Sequence, residues 1–446
     1  MKNNIIKVAV FISCITAISC NKELDTEPSV SIDKNLALQT SDDVKALLIG
    51  AYRDLGTANF YGGRIFMEAD LLADVNEMDW TGTYQGLTQI KNKTIPVDND
   101  FVSGIWLSGY RAINDVNNVI GALNVVNPND SSSVAAEARF IRGAAYFDLV
   151  RLFAKAWNDG DPTANEGVPI VLTPTTEITE ASKVKRAKVA EVYAQAISDL
   201  QLAEANLPET NGVYATKAAA AAMLSRVYLQ QQDYASARDA ADRAINYARS
   251  NGGVLVKNYA DAFGATNTSE DIFAIQVTAT AGTQGFNEFY SSSQRGDIQI
   301  TNTHLDLYES GDKRANLFYE DGGSVYTGKF EELYGNVHII RLAEMFLTRA
   351  ECNFRLGTTV GATPVSDINR IRERAGLTPY TASELTLDKI LMERHLELAF
   401  EGFWLHDIKR LEGSVGNLPW NSPKLIFPIP QREIRANPNL TQNEGY

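Results

Sequence analysis

The pattern that constrains this chain most lies in residues 217–248. Ala221, Leu224, Val227 and Tyr228 recur at helical spacing, a polar break follows at Gln230 to Asp233, and Tyr234, Ala237, Ala241, Ala244 and Ile245 resume the period. This predicts two short amphipathic helices in an antiparallel hairpin, with small residues where the two touch. A single hairpin of this kind cannot bury its own apolar faces, so several must stack.

Partners for that stack are legible elsewhere in the chain. Residues 37–55 offer Thr40 or Ser41 as a cap, Asp42 and Asp43 in the first turn, and Val44, Leu47, Leu48, Ala51 and Leu55 on one face. Residues 134–157 repeat the period through Ala138, Ile141, Ala145, Leu149 and Leu152, and 189–207 do so until Pro208 and Asn211-Gly212 end the run. The 217–248 spacing resembles a tetratricopeptide unit, with a looser echo from Leu342 to Leu356 and from Val365 to Ala375. The expected fold is mainly α, a solenoid-like core in which 134–157, 189–207, 217–248 and 342–375 pack side by side. Gly167 to Pro174, GVPIVLTP, is apolar and bounded by Gly and Pro, so it reads as an extended connector. Residues 56–110 and 251–335 are rich in Gly, Asn, Thr and aromatics, and are expected to form an irregular, loop-rich layer with short strands.

The first residues predict a destination. Lys2 and Lys7 precede an uncharged run from Val8 to Ile18, then Ser19 and Cys20, the order of a secretory signal too short to span a bilayer. Ala17-Ile18-Ser19-Cys20 is similar to a bacterial lipobox, which makes residues 1–19 a signal peptide and Cys20 the lipidated first residue. Residues 20–36 then read as the anchor and a flexible polar tether. Cys14 leaves with the signal and Cys20 carries lipid, so Cys352 has no partner for a disulfide within the chain. No later segment reaches the apolar length of a transmembrane helix, so the lipid is the expected membrane attachment. The formal charge of −14 becomes −16 once Lys2 and Lys7 are removed. Such a surface repels phosphate backbones and argues against nucleic acid as partner.

Several pieces in order along the chain resemble the SusD/RagB family of surface lipoproteins. They are CNKELDTEP, EARFIRGAAYFDLVRLFAKAW, GVPIVLTP, the 217–248 hairpin, IIRLAEMFLTRAECNFRLG, INRIRERAGL, ERHLELAFEGFWLHDIKRL and IFPIPQREIRANPNLTQNEGY. The resemblance implies a single SusD-like domain over 37–446, with an N-terminal part to about 335 and a C-terminal part from about 336. It also implies a SusC-like TonB-dependent transporter as partner, a glycan or peptide as ligand, and a cell-surface position on the outer membrane. Lys22, Glu23 and Asp25 are similar to the family's sorting signal. Phe403-Trp404-Leu405-His406 departs from a pattern that often has an Arg and a further aromatic, which questions local packing more than function.

Motifs for chemistry are weaker. Glu393, Glu397 and Glu401 share one helical face and have the spacing for a two-carboxylate glycosidase, yet Lys389, Arg394, Lys409 and Arg410 nearby favour a structural ion-pair network. His395 and His406 with Glu397 and Asp407 lack HExxH or Cys/His metal spacing, and no P-loop, G-x-S-x-G or G-x-G-x-x-G occurs. The expectation is a binding protein with no cofactor, metal or catalytic residue.

A sugar ring stacks its apolar face on an aromatic and needs a few fixed donors and acceptors for its hydroxyls. The run 74–85, DVNEMDWTGTYQ, offers Asp74, Asn76, Asp79, Trp80, Tyr84 and Gln85; the second segment offers Tyr290, Gln294, Arg295 and Asp297. Each aromatic has a bland alternative, packing under its own loop. Phe427 and Tyr446 are assigned to core and lid. Two other function classes stay open at this stage: a helical-repeat adaptor that binds only protein, and a glycan-degrading enzyme using the Glu393 to Glu401 face.

Overall fold

The computed structural model describes residues 38–280 and 284–446. The signal, Cys20 and the tether lie outside them. The chain runs through α1 (Ser41–Leu55), α2 (Arg64–Ala73), β1 (Met78–Trp80), α3 (Gln85–Lys91), α4 (Asp100–Gly121), α5 (Pro128–Phe153), α6 (Val189–Asn206), α7 (Lys217–Gln230) and α8 (Tyr234–Ser250). Next come β2 (Asp271–Ile275), α9 (Gly285–Tyr290), β3 (Ile298–Ile300), α10 (Asn302–Leu305), β4 (Phe318–Asp321), β5 (Ser324–Thr327) and β6 (Val337–Arg341). The last part holds α11 (Leu342–Leu356), α12 (Pro364–Arg374), α13 (Leu387–Glu397), α14 (Trp404–Arg410), a minimal β7–β8 pair (Ser414–Val415, Leu418–Pro419) and α15 (Gln431–Ala436).

The long helices begin where the sequence supplies an acceptor for their first free N–H groups. Thr40 and Asp43 form a capping box, Asp43 N donating to Thr40 Oγ1 at 3.2 Å and Thr40 N to Asp43 Oδ2 at 2.9 Å. Asn99, Thr216 and Asp233 cap α4, α7 and α8 through their side chains, each worth about 1 kcal/mol. Gly357, at φ 64°, closes α11 in the left-handed conformation that costs glycine least.

These helices pack in series: α1 on α4, α4 on α5, α5 on α6, α6 on α7, α7 on α8, α8 on α11, and α11 on α12 and α13. The predicted stack is present, and the α7–α8 hairpin sits at its centre. Ala219 to Ala222 are fully buried, so the neighbours of α7 approach close to its backbone. The connector crosses this array extended: Tyr110 and Tyr146 donate their hydroxyls to the carbonyls of Pro169 and Val171, each at 2.8 Å, and Asn117 Nδ2 adds a bond to Val171 O. Cys352 is a buried free thiol.

The irregular layer is smaller than the composition of 56–110 suggests. That stretch holds α2, α3 and half of α4, because Asn99 supplies a cap and glycines serve close packing there. A Cβ on Gly109 would stand 3.1 Å from both Leu149 and Phe60, so the residue that lowers helix propensity is the one that lets α4 meet α5. Residues 251–335 do carry short strands. Among the described residues the strands pair as four separate antiparallel couples: β1–β3, β2–β6, β4–β5 and β7–β8. Among the described residues no helix is long and apolar enough to cross a membrane.

Candidate functional site

The two candidate segments, far apart in sequence, form one surface. β1 pairs with β3 in the register Met78↔Ile300, Asp79↔Gln299 and Trp80↔Ile298. The pairing continues past the strands, as Thr81 N donates to Asp297 O at 2.8 Å. Gly82 then passes between Trp80 and Asp297; a Cβ there would come within 2.4 Å of the indole and 2.7 Å of the Asp297 carboxyl carbon. Only a residue without a side chain lets the loop close so tightly on the ribbon.

At this end of the ribbon Tyr84, Arg295 and Asp297 converge. Arg295 lays its guanidinium over the Tyr84 ring, 4.3 Å from the centroid, and donates from Nε to Asp297 Oδ2 at 2.6 Å. Its other arm reaches Thr83 Oγ1 at 3.4 Å. A guanidinium carries five donors, so this Arg keeps N–H groups for further acceptors. Tyr84 is 38% exposed, and Phe101 and Phe289 meet it edge-on from behind. Trp80 is half-buried and fixed, its Nε1 donating to Thr88 Oγ1 at 2.9 Å and its ring tilted on Phe289. Thr81, Thr83, Gln85, Ser293 and Gln294 complete an exposed polar rim. A stacking face beside fixed charges and hydroxyls is what a polyhydroxylated solute needs.

The remaining candidates sit elsewhere. Asp74 is buried and committed to its own turn, accepting from the Asn76 and Met78 backbone N–H groups and pairing with Lys91. Asn76 is exposed in a left-handed conformation, φ 75°, and its carbonyl accepts from Thr301. Tyr290 is fully buried, packed against Phe286, Phe330 and Phe400, so its phenol belongs to the core beneath the ribbon. Residue type and local composition do not separate these from Tyr84 and Arg295; only the fold does. Thr83 and Phe289, which hold Arg295 and Tyr84 in place, carry no signal in sequence beyond their neighbourhood.

The carboxylate ladder is a buried ion-pair network, but its cations are not those expected from proximity in sequence. Glu393 pairs with Arg372 and Arg314, Glu397 with Arg374 and Arg341, and Glu401 with Lys329 and Arg341. Lys389 instead donates to the Glu384 carbonyl, Arg394 pairs with Asp407, and Arg410 with Asp407 and Glu351. Burial alone would raise Glu401, yet Arg341 and Lys329 outweigh it and hold the carboxyl down to about 2. Glu397 is likewise lowered, by Arg374, Arg341 and Arg314 against its burial. A glycosidase acid needs a raised pKa, so these two groups are poorly suited to donate a proton. Phe403, in the atypical FWLH stretch, lies under the guanidiniums of Arg226 and Arg394.

A separate concavity of about 440 Å³ is lined by Ile49, Tyr52, Val213, Tyr214, Phe273 and Ile275 among others. Its lining is mostly apolar and offers a sugar fewer fixed partners.

Residues 24–229 match a family described as SusD-like, starch-binding and associating with the outer membrane, and residues 318–422 match the SusD family. The chain belongs to the SusD/RagB family. SusD-like protein P2 of Formosa agariphila is 27% identical over 99% of this chain and 99% of its own. The starch-binding protein SusD of Bacteroides thetaiotaomicron is 32% identical over 25% of this chain and 22% of its own. Among solved structures, a putative sugar-binding protein from Bacteroides vulgatus superposes with a TM-score of 0.83 at 27% identity, covering 92% of this chain and 99% of that one. A SusD superfamily protein from Bacteroides thetaiotaomicron gives 0.81 at 26%, covering 91% and 99%. In this SusD/RagB member β1 falls within the first matched stretch and the ladder within the second, whereas β3 and Arg295 lie between the two.

Proposed function

We propose that this SusD/RagB member is a cell-surface lipoprotein of the outer membrane, anchored through Cys20. It binds oligosaccharides across Tyr84, Arg295 and Asp297 and delivers them unaltered to a SusC-like TonB-dependent transporter. The observation that carries the reading is the convergence of those three residues from two segments about 200 positions apart, with Tyr84 and Arg295 exposed and the buried Asp297 carboxylate holding the Arg295 guanidinium. Support comes from relatives named for starch and sugar binding, and from ladder carboxylates locked by arginines.

Isothermal titration against a panel of polysaccharides and peptides tests it. At least one glycan should bind, and Tyr84→Ala and Arg295→Ala should each weaken it roughly 5–10-fold, about 1–1.4 kcal/mol, with unchanged circular dichroism. A folded protein that binds no glycan yet captures a β-barrel partner would favour the protein-only adaptor instead. Anchoring has its own check: Cys20→Ser should abolish incorporation of labelled fatty acid and release the protein from the membrane fraction. Retention of the label in that variant would contradict the assignment of Cys20.

A further inference from the structure

We propose that Glu77, His304 and His395 form a binding site for one divalent transition-metal ion of the zinc class. The three come from separate parts of the chain: Glu77 immediately before β1, His304 in α10 just after β3, and His395 in α13. His304 Nδ1 lies 2.6 Å from Glu77 Oε2, and His395 Nε2 lies 2.9 Å from the same oxygen and 3.1 Å from Oε1. All three prospective ligand atoms fall within 4.8 Å of one another.

In the metal-free arrangement each imidazole presents an N–H to the shared carboxylate. A neutral imidazole whose proton sits on its other ring nitrogen turns a lone pair to the same position, so a dication in the middle would be held by two neutral imidazoles and one carboxylate, and the donors need part only enough to admit it at about 2.0–2.1 Å from each ligand. Two imidazole nitrogens and one carboxylate are a borderline donor set that suits Zn²⁺, Co²⁺ or Fe²⁺, and is too rich in nitrogen for Ca²⁺ or Mg²⁺. The outer shell is also in place. His304 Nε2 lies 3.1 Å from the Tyr308 hydroxyl, a contact that fixes the ring and leaves Nδ1 for the site. His395 packs against Trp404 with the rings tilted and centroids 4.0 Å apart, and borders a narrow cleft lined by Asp70, Asp74, Met78 and Phe400. That side leaves room for a water or solute oxygen as fourth ligand. The ion would clamp to α13 the end of the β1–β3 ribbon opposite Tyr84 and Arg295. The inference stands apart from what the ribbon binds, and it differs from the sequence-level pairing of His395 with His406.

The test is titration of the chelator-stripped full chain with Co²⁺, followed by displacement with Zn²⁺. One equivalent of Co²⁺ should develop the visible d–d absorption of a nitrogen-ligated ion, and Zn²⁺ should abolish it and raise Tm. In His395→Gln the amide still donates a hydrogen bond to Glu77 but offers no imidazole lone pair. Its affinity should fall by more than the roughly 10–100-fold that loss of an outer-shell partner costs. Glu77→Gln is the second variant, and circular dichroism verifies that each is folded. Absence of stoichiometric binding by the folded wild-type chain would overturn the proposal, as would wild-type affinity in both folded variants.

Discussion

Replacing Arg341 with methionine should destabilise the protein by about 3–5 kcal/mol, the usual cost of removing one partner from a buried ionic cluster. Arg341 ends β6, is 2% exposed, and donates to Glu270 at 2.7 Å, Glu397 at 3.1 Å, and Glu401 at 2.7 and 2.9 Å. Without it three buried carboxylates share Arg374, Arg314 and Lys329. Methionine fills part of the volume, so the loss reports on charge more than on a cavity. The pH dependence follows from Glu401. Its folded pKa, about 2, lies below its ordinary value, so its stabilisation is fully present above the unfolded pKa, near 4.3, and is lost as pH falls through the folded value. Urea unfolding at pH 7 measures the effect; a loss below about 1 kcal/mol would mean that the network contributes little net stability.

Glu68→Gln should do the opposite and stabilise the protein by about 3–4 kcal/mol at pH 7. Glu68 is fully buried in α2, neither carboxyl oxygen has a hydrogen-bond partner among the described residues, and burial pushes its pKa up to about 8 despite Arg64. Below about pH 4.5 the carboxyl is protonated in both states and there is no penalty. Between that pH and 8 the unfolded chain releases its proton while the folded chain retains it, so stability falls by about 1.4 kcal/mol per pH unit. Glutamine has no proton to lose and removes the slope. Urea midpoints for both proteins at pH 4.5 and pH 7 check this: the curves should coincide at the lower pH and separate at the higher. Equal separation at both would contradict the burial argument.

The helical stack was legible because its signals are local. The break at Gln230 to Asp233, the Thr40 cap and the small residues of 217–248 state their structure within a few turns. Helices α2 and α4 were hidden by composition, since Gly104, Gly109 and the aromatics of α4 look like loop residues until Asn59 is packed against the first glycine and Leu149 of α5 and Phe60 against the second. The ladder was legible as an ionic network but not in its partners. Arg314, Lys329 and Arg341 reach Glu393, Glu397 and Glu401 from across the fold, beyond any spacing rule. The ribbon is the same case. Trp80, Tyr84, Arg295 and Asp297 all qualified by residue type, as did Asp74 and Tyr290, and pairing of β1 with β3 left Tyr84 and Arg295 facing solvent, Trp80 half-buried and Asp297 buried. Glu77 and His304 gave no sequence signal as a pair because 227 positions separate them.

A solute bound by this protein should settle on the exposed end of the β1–β3 ribbon. A crystal structure of the protein with an oligosaccharide that it binds in solution tests this most directly. The sugar should lie against Tyr84 with its hydroxyls on Arg295 and Asp297. A sugar seated instead between Tyr52, Val213 and Tyr214, with the ribbon bare, would contradict it.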